Sequence, residues 1–109
     1  MSWRDKFLYY NERIDYLKRK TSRTQNDDDY LKELQERKRR LYSAYRYSVE
    51  WTILRNAVLS RDNNQCVYCE SDCNLHVHHL TYDRQGREYL SDLITLCATC
   101  HSEVHGREL

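Results

Sequence analysis

The sequence predicts an α+β fold in which N-terminal helices precede a smaller domain of short strands and a closing helix. Proline is absent, and the two glycines, Gly86 and Gly106, lie outside the first sixty residues, which favours long helices there. All five cysteines and all five histidines follow residue 50, where the apolar runs are short. We therefore expect a helical N-terminal extension at 1–47 and a second domain at 48–109.

Two apolar stripes predict the helices of the extension. Steps of four and three residues place one set of side chains on a single helix face: Trp3, Phe7, Tyr10, Ile14 and Leu17. A second stripe, with Lys38 as a polar gap, consists of Tyr30, Leu34, Leu41 and Tyr45. The polar stretch 21–26 separates the stripes, and Asn26 could cap the second helix. Residues 3–47 are thus expected to form a helical hairpin or two linked helices.

The second domain is expected to begin with one more helix, capped by Ser48 and running from about Val49 to Arg61. After Cys66 the pattern changes to short strands and loops. One strand is expected through Val77 and Leu80, and another at residues 93–96. A short helix should close the chain.

Charge divides the chain into a basic and an acidic half. Residues 1–50 hold 13 Lys/Arg against 9 Asp/Glu, a net charge of +4, whereas residues 51–109 hold 5 against 8. The basic half could face a polyanion. One basic run could contact a nucleic-acid backbone, although a solvated helix face explains it equally well: Arg37, Lys38, Arg39 and Arg40.

The segments examined for membrane insertion or export give no signal. No apolar run approaches the ~20 residues needed to span a bilayer, and the first residues lack the apolar core of a signal peptide. An intracellular, reducing setting is therefore expected. In such a setting clustered cysteines indicate metal binding rather than disulfides.

Two Cys-x-x-Cys pairs predict a closed metal site. Cys66 and Cys69 form the first pair, Cys97 and Cys100 the second, and 27 residues separate them. Each pair can offer two sulfurs to one ion, so that four thiolates would complete a tetrahedral structural Zn²⁺ site. Cys73 is the odd cysteine, either a free thiol or an alternative to Cys69.

The histidines predict a second, open metal site. His101 and His105 are four residues apart and share a helix face, and His78 can add a third neutral nitrogen. Three such ligands leave coordination positions for water and phosphate. His79 could then act as a base, and Asp92 could fix its tautomer through a hydrogen bond or could bind metal instead.

Two neighbouring histidines leave alternatives at this second site. His76 lies two residues before His78 and is expected to be a neighbour rather than a ligand. Adjacent strand residues point to opposite faces, so His78 and His79 could in principle exchange their roles.

The segment from Trp51 to His105 resembles the zinc-containing HNH endonucleases, and the resemblance covers about residues 48–109. The motifs that carry it are Cys66-Val-Tyr-Cys69, Val77-His-His-Leu-Thr-Tyr82, Gly86-Arg-Glu88 and Asp92-Leu-Ile-Thr-Leu-Cys97-Ala-Thr-Cys100-His101. The resemblance implies a ββα-metal fold stapled by zinc. Residues 1–47 resemble no family that we can name.

The resemblance implies a role for each residue of the open site. His78, His101 and His105 would hold one catalytic Mg²⁺, Mn²⁺, Ni²⁺ or Zn²⁺, and His79 would be the general base. Asp92 takes the place of the asparagine that gives the family its middle letter. Arg84 or Arg87 could hold a phosphate of double-stranded DNA, although a solvated arginine explains these positions equally well.

The expected activity is hydrolysis of DNA phosphodiester bonds by a phage or mobile-element nuclease. A monomer would nick one strand, whereas a homodimer could break both. The alternative is a zinc module that binds DNA or protein without catalysis. That alternative explains the cysteines and the basic helices but gives no reason for the histidines and Asp92 to occur together.

Overall fold

The computed structural model describes the backbone of residues 1–108 and the side chains of residues 1–105. Within this range the chain has four α-helices, one short 3-10 helix and a two-stranded antiparallel sheet, which confirms the predicted α+β fold. The chain divides into two compact units. The first holds residues 1–48 and 85–87, and the second holds residues 49–84 and the chain from residue 88 onward.

Two helices form most of the first unit, α1 (Trp3–Arg19) and α2 (Gln25–Tyr45). Each begins with a capping box, because the Ncap side chain accepts the N–H of an aspartate three residues later and that carboxylate accepts the Ncap N–H. The caps are Ser2 with Asp5 and Thr24 with Asp27. The cap of α2 is therefore Thr24, and the expectation of Asn26 was wrong.

The predicted stripes are the faces on which α1 and α2 meet. Ile14, Leu17 and Leu34 form one buried cluster. Farther along, Tyr45 is buried, with its ring centroid 5.4 Å from that of Trp3 and 5.6 Å from that of Phe7. Apolar burial along both helices thus holds this unit together.

The tripeptide 85–87 lies against the first turn of α1. Gly86 has φ of 93°, and a Cβ at this position would lie 2.7 Å from the backbone nitrogen of Arg4 and 2.8 Å from the carbonyl carbon of Trp3. The Arg4 guanidinium donates to the Gln85 carbonyl oxygen at 3.3 Å. Only glycine combines this backbone conformation with so close an approach to another backbone.

The second unit contains α3 (Val49–Arg61), β1 (Leu75–His79), β2 (Leu93–Cys97) and α4 (Ala98–Glu108). In the antiparallel pair His78 lies opposite Ile94 and His79 opposite Leu93. A short 3-10 helix, Leu90–Asp92, leads directly into β2. The order β1, β2, α4 is the ββα arrangement expected from the sequence.

Arg61, at the end of α3, connects this helix to the start of β2. Its guanidinium donates to the carbonyl oxygens of Leu90 and Leu93, at 2.6 Å each, and also pairs with the Asp62 carboxylate. Asp62 in turn accepts the Thr95 N–H at 3.0 Å. These bonds fix α3 relative to the sheet.

Membrane insertion was also examined in the structure. Among the described residues, no helix combines the length and the apolar character needed to cross a bilayer.

We expect Gly86→Ala to lower the free energy of unfolding by about 1–3 kcal/mol, because the added methyl group meets backbone atoms that cannot rotate away. Urea unfolding followed by circular dichroism measures the change. Arg87→Ala, at the neighbouring exposed position, is the matched control and should change it by less than about 0.5 kcal/mol. Equal stability of Gly86→Ala and the wild type would contradict the tight approach.

Candidate metal centres

The four expected thiols lie together in the second unit. Their sulfur atoms are all within 4.8 Å of one another, and those of Cys69 and Cys97 are 3.5 Å apart. Sulfurs around a tetrahedral ion at ~2.3 Å are about 3.8 Å apart, so the spacing fits one ion. The four thiols are thus positioned to bind one metal ion, and they belong to Cys66, Cys69, Cys97 and Cys100. Four thiolates would fill a tetrahedral coordination sphere and leave no position for a reactant.

Local backbone structure brings each pair of thiols to this point. After Cys69 the chain turns sharply at Glu70, which has φ of 64° and donates its N–H to the Cys66 carbonyl oxygen at 2.9 Å. Cys97 ends β2, and its sulfur accepts the Cys100 N–H at 3.4 Å from the first turn of α4. Both pairs therefore form turns whose N–H groups point towards sulfur.

The surroundings of Cys66 and Cys100 shift the pKa values of these two thiols in opposite directions. Burial opposes ionisation of Cys66, but backbone N–H groups of Cys97, Cys69 and Tyr68 outweigh it and lower the pKa of this thiol to about 6. The hydrogen bond with Cys97, followed by burial, raises the pKa of the Cys100 thiol. A bound divalent cation would stabilise all four thiolates.

Cys73 is outside this group. Its thiol is exposed and contacts the Asp72 carboxylate at 3.3 Å. The structure thus places Cys69, rather than Cys73, among the candidate ligands.

Three imidazoles form the second predicted cluster. Ligand nitrogens of His78, His101 and His105 all lie within 4.8 Å of one another, and the Nε2 atoms of His101 and His105 are 2.9 Å apart. One of two such close nitrogens must carry a proton unless a cation takes both lone pairs. The donor set therefore suits a metal ion with open coordination positions.

Strand alternation separates the two adjacent histidines. His78 points towards α4, where its ring contacts His101 and His105. His79 points towards α3, where its ring stacks on Trp51 with centroids 5.4 Å apart. The structure thus groups His78, and not His79, with the candidate metal ligands.

His79 contacts a carboxylate that the sequence analysis did not assign. Its Nε2 atom is 2.6 Å from Oε2 of Glu88, and the two side chains are only 1% and 0% exposed. The Tyr82 ring stacks on the imidazole, with centroids 4.6 Å apart and planes 13° from parallel. The imidazole is therefore held in place by one charged partner and two aromatic rings.

Asp92 is buried but does not make the expected hydrogen bond to His79. Its carboxylate accepts from the Arg84 guanidinium and from the Tyr89 N–H, the latter at 2.9 Å. The side-chain hydrogen bond from Arg84 is the main reason why the pKa of this carboxyl lies below its usual range. Asp92 thus organises the loop before β2 and keeps its charge.

Arg84, Arg87 and His76 are the other residues that the sequence analysis considered for this site. Arg84 stacks on Tyr89, with its guanidinium carbon 4.3 Å from the ring centroid, and Arg87 is exposed. His76 is exposed and stacks on His101, as expected of a neighbour, and its nitrogens are not in the three-imidazole group.

The basic run of α2 makes ion pairs within its own helix. Arg37 pairs with Glu33, and Arg39 and Arg40 both pair with Glu36. Lys38 is half-buried, and burial lowers its pKa. The three arginines are therefore better placed than Lys38 to contact a phosphate.

Comparison with known proteins identifies this arrangement. Residues 66–107 match the family model for HNH endonuclease. This segment, which is less than half of the chain, is similar to that family. This confirms the family resemblance, with a match that begins at Cys66. No curated protein and no solved structure matched the chain.

The matched segment contains both clusters and also Asp92. Three residues with a contact to the site were missed, namely Glu88, Tyr82 and Trp51. Glu88 and Tyr82 stood in the motifs of the resemblance without a role, and Trp51 was read as an apolar helix position. Burial of a carboxylate beside a histidine is the signal that distinguishes Glu88, and only the structure provides it.

We expect Cys97→Ser to remove one bound metal ion per chain and to unfold most of the second unit. Serine cannot supply a thiolate, and binding of a structural ion is coupled directly to folding. Metal analysis together with circular dichroism tests this. Cys73→Ser is the matched control and should keep both metal content and fold. A folded Cys97→Ser protein with unchanged metal content would contradict the assignment.

Proposed function

We propose that this protein is a metal-dependent DNA endonuclease that hydrolyses phosphodiester bonds. One observation carries the proposal. Three imidazoles form a group, and a fourth imidazole belongs to His79, the residue after His78 in β1. The four-thiol cluster lies apart from this group and would hold a structural Zn²⁺. A purely structural or binding module would need the four-thiol cluster but not the three-imidazole group.

The three-imidazole group fits a divalent ion. His78, His101 and His105 would hold it, and when bound it supplies a positive charge that stabilises the phosphate and the leaving oxygen. Nitrogen ligands favour Mn²⁺, Ni²⁺ or Zn²⁺, whereas Mg²⁺ prefers oxygen. We therefore expect Mn²⁺ or Ni²⁺ to support activity at least as well as Mg²⁺.

His79 is the proposed general base. Imidazole titrates near neutrality, so its neutral form can take a proton from an attacking water. The ring planes of Trp51 and Tyr82 restrain it, which reduces the reorientation needed before proton transfer. Asp92 supports this site indirectly, by fixing Arg84 and the loop that leads into β2.

The proposed substrate is double-stranded DNA. With one three-imidazole group per chain, a monomer would nick one strand, and a homodimer could cut both. Arg84, Arg87 and the arginines of α2 are proposed to contact phosphates of the DNA backbone.

We expect the wild-type protein with Mn²⁺ to convert supercoiled plasmid to the nicked form, and EDTA to stop the reaction. His79→Ala should lower the cleavage rate by ~10²–10⁴-fold, the usual contribution of a general base. His101→Ala should abolish metal-dependent cleavage, because it removes a ligand. Gel electrophoresis of the plasmid measures nicked and linear products separately.

His76→Ala is the matched control, since it removes an exposed imidazole outside the ligand group. It should keep cleavage within about tenfold of wild type, a loss below the smallest expected for a general base. If the folded wild type, with its full content of structural metal, cleaves no DNA with any of these ions, a non-catalytic binding module is the better explanation.

The DNA-backbone contact of α2 makes a separate prediction. Each phosphate contact adds ~0.9 to the magnitude of the salt slope of binding. Replacing Arg37, Arg39 and Arg40 by glutamine should therefore weaken DNA binding and flatten that slope, while the rate at saturating enzyme stays near wild type. Fluorescence anisotropy across salt concentrations measures both quantities.

The same charge change at the other end of the hairpin provides the control, with Lys18, Arg19 and Lys20 replaced by glutamine. If the two triple variants weaken binding equally, general charge rather than the α2 run explains the affinity. If neither variant changes the slope, the run is only a solvated helix face.

A further inference from the structure

Glu88 is a buried carboxylate in the second unit. Its side chain is fully buried, and Oε2 lies 2.6 Å from Nε2 of His79. Burial of a carboxylate is costly unless it is paired. A group retained under this cost beside a proposed base points to a role in the chemistry of that base.

The hydrogen bond between these side chains selects one form of the imidazole. An ionised carboxylate only accepts hydrogen bonds, so with Glu88 ionised Nε2 of His79 carries the proton and donates it to Glu88. In the neutral ring the lone pair is then on Nδ1. Only this tautomer presents Nδ1 as the atom that can accept a proton from water.

The aromatic contacts restrict the same ring in a second way. The planes of Trp51 and Tyr82 lie 5° and 13° from that of the imidazole. Stacking limits tilting of the ring, whereas the bond to Glu88 limits its rotation within the plane. Together they define the direction in which Nδ1 points.

The other buried carboxylate of this site is committed elsewhere. Asp92 accepts hydrogen bonds from Arg84 and from the Tyr89 N–H. Asp92, which the sequence analysis expected to orient His79, therefore holds the loop instead. Glu88, four residues earlier, contacts the imidazole.

We propose that Glu88 is the positioning residue for His79, fixing the Nε2–H tautomer and the direction of Nδ1. This proposal rests on the proposed function, since it assigns Glu88 a part in the same cleavage. A wrong tautomer places a proton where the base needs its lone pair. Loss of Glu88 should therefore lower kcat and leave the KM for DNA nearly unchanged.

The test compares Glu88→Ala, Glu88→Gln and Glu88→Asp in plasmid cleavage at saturating and limiting DNA. We expect kcat to fall by ~10–100-fold for Glu88→Ala, the usual cost of losing a partner that orients a functional histidine. Glu88→Gln should retain more activity, since an amide oxygen can still accept the Nε2 proton. Asp83→Asn, an exposed carboxylate-to-amide change in the same loop, is the matched control and should leave kcat unchanged.

A spectroscopic measurement is independent of activity. Nitrogen-15 NMR of histidine-labelled protein, with full metal content, distinguishes a protonated from an unprotonated ring nitrogen. We expect His79 to be protonated at Nε2 and unprotonated at Nδ1 in the wild type, and to become a mixture of tautomers in Glu88→Ala. Metal analysis and circular dichroism of each variant verify that the fold is kept.

The outcomes separate this inference from the proposed function. If the wild type cleaves no DNA, the proposed function fails, while the NMR comparison still decides whether Glu88 sets the tautomer. If Glu88→Ala keeps the wild-type tautomer and kcat, the inference is wrong. It is also wrong if Asp92→Asn changes the tautomer of His79 and Glu88→Ala does not.

Discussion

Four cysteine sulfurs of the second unit lie within 4.8 Å of one another, which brings the ends of its two strands to one candidate metal site. Cys66, Leu96 and Cys97 form a buried cluster of this unit, so two of the candidate ligands are also core residues. A core of this size usually requires a metal or a disulfide to be stable. Because one Cys pair precedes β1 and the other begins at the last residue of β2, a bound ion would hold the ends of the hairpin together.

The hairpin in turn decides what each histidine contacts. Alternation along β1 sends His78 to the α4 side and His79 to the α3 side of the same short strand. The bonds from Arg61 fix α3 to the residues around β2, and Trp51 on that helix then stacks on His79. Metal binding and proton transfer are therefore assigned to neighbouring residues with different surroundings.

The loop between the strands supplies the charged groups of the site. Arg84 and Asp92 neutralise each other, and Glu88 contacts His79 in a fully buried pair. Had both carboxylates faced the imidazole, their mutual repulsion would have raised the cost of burial. Pairing Asp92 with an arginine leaves Glu88 as the carboxylate that hydrogen-bonds to His79, the proposed base.

Spacing alone predicted the elements whose chemistry is local. Cys-x-x-Cys pairs, the i, i+4 histidines of α4 and the apolar stripes of α1 and α2 each follow from neighbours on one turn or one helix face. The sequence therefore determined the α+β class, both candidate ligand sets and the family resemblance. Even so, the cap of α2 was missed by two residues, because Thr24 and Asp27 form a capping box that begins before Asn26.

Only the tertiary structure decided which carboxylate reaches His79. Asp92 and Glu88 are both acidic, and the path of the loop determines that one meets Arg84 and the other the imidazole. These contacts depend on how the nine residues after His79 fold back onto it. The periodicity of the sequence carries no information about that path. The exclusion of Cys73 has the same origin, because the turn at Glu70 points Cys69 towards Cys97 while the Cys73 thiol stays exposed.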